Sequence, residues 1–165
     1  MLQSMPDIPA LLERYRRGPE LLAVVLTGVF GEEEDFALAP GKWGIRQVVA
    51  HLADTELVFA GRFRQVIAEA APPLLAFDQE KWAQNLDYAR RKLNQSLETL
   101  RRLRAENHEL LKEMPTSVFE RTGNHSKDGP ITLHQLLERL TDHTEKHARQ
   151  MQAIRDEYKK VKARK

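Results

Sequence analysis

The chain contains no cysteine among its 165 residues. That absence removes disulfides, thiolate metal sites and a cysteine nucleophile together. Any metal must then be held by imidazole and oxygen ligands, and six histidines are available. Strand patterning is also missing: no window alternates apolar with polar residues, and β-branched residues are few. Long hydrophobic runs are absent. The longest strongly apolar run, residues 21–30, is ten residues long and lies between Glu20 and Glu32, about half of the ~20 residues a bilayer-spanning helix needs. The opening MLQSMPDIPALLERYRR has no basic start, apolar centre and small-residue cleavage site, so it does not read as a signal peptide. A soluble, cytoplasmic protein with no membrane partner is expected.

The charge is less basic than it looks. The net charge is +2, but residues 159–165 (KKVKARK) hold five of the 26 basic residues and no acid, leaving 21 basic against 24 acidic residues in 1–158. A slightly acidic body argues against a nucleic-acid partner. Arg90, Arg91, Lys92, Arg101, Arg102 and Arg104 form no basic stripe, because they alternate with acids around a helix and read as a solvated face. The organisation expected is one domain over 1–158 followed by a disordered basic tail, 159–165. A chain of this length hides roughly 70% of its extended surface on folding, enough for a core without staples.

Apolar residues recur at helical spacing in four stretches. The first covers about 8–29 and is interrupted by Gly18-Pro19. The second covers about 44–70 and ends at Pro72-Pro73. The third covers 78–112, 35 residues closed by Met114-Pro115. The fourth opens at Thr132, which with Gln135 forms a capping-box pattern, and runs to about Tyr158. Four long amphipathic helices predict an all-α, antiparallel four-helix bundle. The third helix is longer than a compact bundle requires, which points to a homodimer.

The chemistry concentrates in LLERLTDHTEKHARQM, residues 136–151. On a helix, Leu136, Leu140, His143, His147 and Met151 fall on one stripe, so two histidines replace apolar residues on a core-facing side. Two imidazoles at i, i+4 can share one ion. Buried imidazoles otherwise need a partner for each polar nitrogen, and a satisfied core histidine is the competing account. His51, at the border of the apolar face formed by Val48, Val49 and Leu52, is the best third ligand from another helix. His108 and His134 read as surface residues, and His125 lies in a long loop. Three histidines with an open fourth position describe a catalytic zinc-type site, although nickel, iron or manganese would fit the same cage.

Several segments carry a family resemblance: GKWGIRQVVAHLADTELVFAGRFR (41–64), FDQEKWAQNLDYAR (77–90), FERTGNHSKDGPITLHQLL (119–137) and LTDHTEKHARQMQAIR (140–155). Together they resemble the DinB-like superfamily, in particular its YfiT-type metal-dependent hydrolases. The resemblance implies a four-helix bundle and a divalent metal, zinc or nickel, on His51, His143 and His147. It also implies a small-molecule substrate, with either hydrolysis or transfer to a low-molecular-weight thiol such as bacillithiol or mycothiol. With no cysteine of its own, the protein would take any thiol from a small molecule. Lys146 departs from the polar uncharged or acidic residue usual before the last histidine. Asp54 and Glu56 are the candidate base or supporting groups, with a solvated helix face as the competing account for Glu56. The alternative function is a non-catalytic, stress-related binding bundle.

Overall fold

In a computed structural model, which describes residues 7–164, helices dominate. The long ones are α1 (Ile8–Val25), α3 (Ile45–Ala68), α5 (Leu93–Lys112) and α6 (Leu133–Ala163). Asp7 caps α1, its carboxylate accepting from the Ala10 amide at 3.0 Å. Thr132 and Gln135 form the expected reciprocal cap of α6, with bonds of 3.0 and 2.9 Å.

These helices make the four-helix bundle. The principal packing pairs are α1 with α6, α1 with α5, α3 with α5, and α3 with α6. Helices consecutive along the chain therefore sit across the diagonal in two of three links: α1 from α3, and α5 from α6. The apolar interior divides into two clusters. One gathers Leu11, Phe59, Phe63, Leu111, Leu136 and Leu140; the other gathers Leu22, Val48, Leu52, Leu100, Met151 and Ile154. Between them, by position along α3, α5 and α6, lies a layer of buried polar side chains, with Gly18 of α1 at the same level.

Three departures from the sequence-based expectation have clear causes. The expected 35-residue third helix is instead α4 (Gln79–Asn85), a 3₁₀ turn at Tyr88–Arg90, and α5. The chain breaks where Asp87 adopts a left-handed conformation with φ of 51°. Tyr88 then turns inward and is fully buried, so the extra length that suggested a partner chain is absent. Second, the loop after α5 forms a small hairpin, β2 (Thr122–His125) with β3 (Gly129–Thr132), and β1 (Pro73–Leu74) joins β2 in parallel. Gly129, at φ of 74°, permits the tight return.

Third, residues 159–163 are helical rather than disordered, as the final turns of α6. The acidic helix α2 (Glu32–Asp35) receives this end: Lys162 bonds Glu32 at 2.6 Å. Two turns earlier, Arg155 reaches Glu33 at 2.8 Å and the Val25 carbonyl at 2.6 Å. No helix among the described residues is long and apolar enough to cross a membrane.

Candidate metal centre

The helical spacing in α6 brings His143 and His147 to one face, and α3 presents His51 opposite them. Their Nε2 atoms converge: His51 to His143 at 2.9 Å, and His147 to His143 at 3.1 Å. Three nitrogens bound to one ion at about 2.1 Å would lie about 3.0–3.4 Å apart for angles between octahedral and tetrahedral. His51 is 2% exposed, and its ring lies 5.1 Å from that of Trp43.

The protonation pattern favours a cation. His147 Nδ1 donates to Gln150 Oε1 at 2.6 Å, which leaves a lone pair on its Nε2. The single in-plane valence of His143 Nε2 cannot form full hydrogen bonds to both neighbours. One of the two close N···N contacts therefore has no satisfactory proton between its atoms. Burial, followed by the neighbouring imidazole of His147, pushes the His51 pKa down to about 4. Burial, followed by the His147 and His51 imidazoles, takes His143 to about 3; burial also lowers His147. The trio is neutral at physiological pH, the state in which imidazole binds metal. The donor set fits a divalent ion.

Asp54 and Glu56 do not join the trio. Asp54 accepts from the Tyr88 hydroxyl at 2.7 Å and from Arg91 at 3.2 Å, tying the α4–α5 connection to α3. Tyr88 in turn packs edge-on against Trp43, the neighbour of His51. Glu56 is neither a solvated face nor a free base, being fully buried. Its carboxylate meets the Arg104 guanidinium at 2.6 Å and accepts a short hydrogen bond from the Tyr15 hydroxyl. Glu56 is the more fully engaged of the two, accepting from Tyr15, Asn107 and twice from Arg104, whereas Asp54 accepts one bond on each oxygen.

Arg104, expected on a solvated face, is 1% exposed. It also donates to Thr144 at 2.8 Å and to the Tyr15 carbonyl at 3.2 Å. Tyr15, Glu56, Arg104 and Thr144 thus knot all four long helices together one residue away from His143. The remaining histidines stay apart from the centre. His108 and His134 are half-buried, and His125 Nδ1 accepts from the Lys127 and Asp128 amides in the hairpin turn, at 3.4 and 3.3 Å.

A cavity of about 540 Å³ opens beside the trio, bounded by His51, His143, Thr55, Phe59 and Phe77. Its wall from the hairpin carries no signal in the sequence that would place it beside the histidines.

Comparison with known proteins agrees with this architecture. Residues 14–151 match the DinB superfamily, and the chain belongs to that family. It is 30% identical over 115 residues to a protein of Oceanobacillus iheyensis provisionally named a metal-dependent hydrolase, covering 70% of this chain and 66% of that one. A similarly named protein of Geobacillus kaustophilus is 28% identical over 150 residues, covering 90% and 84%. Among solved structures, Bacillus subtilis YfiT, described as a probable metal-dependent hydrolase with an unusual four-helix bundle topology, superposes with a TM-score of 0.85. The identity is 23%, covering 91% of this chain and 86% of YfiT, so this likeness speaks for the fold. The diagonal placement of consecutive helices is where the topology here departs from a simple up-and-down bundle.

Proposed function

We propose that this protein is a metal-dependent hydrolase of small molecules, with His51, His143 and His147 holding one divalent ion. The observation that carries the reading is the convergence of three imidazoles, with His143 Nε2 at 2.9 Å from that of His51 and 3.1 Å from that of His147, beside a cavity that His51 and His143 line. The names of its relatives point the same way. Zinc or nickel suits an all-imidazole donor set. Such an ion supplies Lewis-acid chemistry, polarising a carbonyl or bringing the pKa of water toward neutrality.

The protein's own residues do the rest. Gln150 holds the His147 ring in the tautomer that offers Nε2. Trp43 walls the back of His51 and excludes water from it. Thr144, anchored by Arg104, fixes the register of α6 beside His143. Phe59 and Phe77 give a substrate an apolar surface next to the histidines.

Elemental analysis of purified protein should find about one metal per chain, lost in a His143→Ala, His147→Ala variant. Metal content unchanged in that variant would remove the assignment. A panel of chromogenic esters and amides, run with and without a low-molecular-weight thiol, separates the reactions. Turnover without thiol supports hydrolysis, whereas strict dependence on thiol, with a thioester product and release of the alcohol or amine, would replace it with acyl transfer to the thiol.

A further inference from the structure

The cavity beside the trio has a charge pattern that the metal does not explain. Its apolar wall is Phe59 and Phe77, and Lys127 and Arg139 stand at its edge. Arg139 holds one carboxylate, Asp128, at 2.7 Å. Lys127 forms no ion pair among the described residues. A second cavity of about 450 Å³, which shares His143 and Arg139 with the first, is lined by Lys146 and Arg149, which also form none among the described residues. The nearby acids already have partners. Asp142 and Glu145 are bound by Arg14 at 2.7 and 2.9 Å. Asp78, the carboxylate that lines the first cavity, caps α4, accepting two amide bonds of 3.1 Å, and has Lys81 at 3.7 Å.

Two buried groups sharpen the pattern. Arg62 is 6% exposed, stacked over the Phe59 ring at 4.9 Å, with a hydrogen bond to the Leu75 carbonyl at 2.7 Å and no carboxylate partner among the described residues. Burial and then the positive charge of Arg139 pull its pKa down, the mark of an incompletely neutralised cation. Thr55 is 4% exposed, lines the cavity, and its hydroxyl has no hydrogen-bond partner among the described residues. A buried hydroxyl is normally satisfied, and this one, on a residue of the cavity lining, has an unused donor.

We propose that this cavity is an oxyanion subsite, in which Lys127, Arg139 and Thr55 hold a carboxylate or phosphate group of the substrate while Phe59 and Phe77 cover its apolar part. The location rests on the metal-site reading; the charge argument does not. Guanidinium and ammonium groups with unused N–H donors bind such oxyanions through charge-assisted hydrogen bonds. The excess cations, with Lys146 beside His147, would draw anionic substrates toward the histidines.

The test is equilibrium binding of phenylacetate, phenyl phosphate and neutral 2-phenylethanol, by calorimetry, to metal-loaded and chelator-treated protein. One or both anions should bind about tenfold more tightly than the alcohol in both preparations, as a charge-assisted bond predicts. The stronger anion identifies the chemistry. The preference should vanish in Lys127→Ala, Arg139→Gln and persist in the conservative Lys127→Arg, Arg139→Lys variant. Both side chains are exposed, and circular dichroism checks the fold. Equal affinity for anion and alcohol, or a preference unchanged in the first variant, overturns the proposal. So does a preference that disappears on chelation, which would put the anion on the metal. If the preference survives in protein that never retains metal, the subsite stands and the metal centre falls.

Discussion

The Arg104 guanidinium meets the Glu56 carboxylate at 2.6 Å, with the two side chains only 1% and 0% exposed. It is the one pair in the bundle where opposite charges are both withdrawn from water, among the described residues. Withdrawing two ions from water is costly, and the compensation comes from Tyr15, Asn107 and Thr144 around them. Removing one partner leaves the other buried and unpaired. Glu56→Leu and Arg104→Met should each lower unfolding free energy by about 3–5 kcal/mol, whereas the double variant Glu56→Leu, Arg104→Met should recover much of that loss. Urea titration of the four proteins gives the coupling directly.

Gly18 is where α1 passes this pair. A Cβ there would lie 2.1 Å from Arg104 Nη1, and the guanidinium is held by bonds to Glu56, Thr144 and the Tyr15 carbonyl. Gly18→Ala should therefore destabilise by about 1–3 kcal/mol despite the better helix propensity of alanine. Gly61 is the control. It lies in the interior of α3, where an added methyl would meet nothing within 4 Å, so Gly61→Ala should stabilise by about 0.4–1 kcal/mol. Thermal melts of the two variants should move in opposite directions.

The bundle and the histidine trio are legible from spacing, because His143 and His147 interrupt an apolar stripe of α6 in register. The same signal occurs twice more with a different meaning. Glu56 follows Leu52 and precedes Phe59 and Phe63 at steps of four, three and four. Arg104 and Asn107 sit between Leu100 and Leu111 at steps of four, three and four. A lone charge within an apolar stripe reads as a solvated residue until its partner on another helix is known, and that pairing is tertiary information. The break at Asp87 is hidden for a different reason: a left-handed residue other than glycine leaves little local trace. The end of α6 has the composition of a charged tail, but its helix is set by contacts with Glu32 and Glu33, about 130 residues earlier.

Metal should act as a folding ligand. The three imidazoles come from α3 and α6, two helices packed against each other, so an ion binding them binds the native state and not the open chain. At a free concentration 100 times its dissociation constant, zinc or nickel should add about 2.7 kcal/mol to the native state. Chelation should lower the melting temperature accordingly. The His143→Ala, His147→Ala variant should show no metal-dependent shift in calorimetry. A shift of equal size in the variant would mean that the ion binds elsewhere.

The alkaline limit of stability should be set by two of the three tyrosines. Burial, then the Glu56 charge, raises the pKa of Tyr15 well above its ordinary value. Burial, then the hydrogen bond to Asp54, raises that of Tyr88. In the native state both keep protons that the unfolded chain releases near pH 10. The stabilisation from these protons is therefore complete below about pH 10 and declines as pH rises above it, by about 1.4 kcal/mol per unit for each tyrosine. Absorbance at 295 nm should show Tyr15 and Tyr88 silent while the fold persists, then ionising together with the loss of helical circular dichroism. Tyr88→Phe should remove one of the two late ionisations and flatten the alkaline loss of stability. Ionisation of all three tyrosines before any loss of helix would contradict the buried Tyr15–Glu56 and Tyr88–Asp54 contacts.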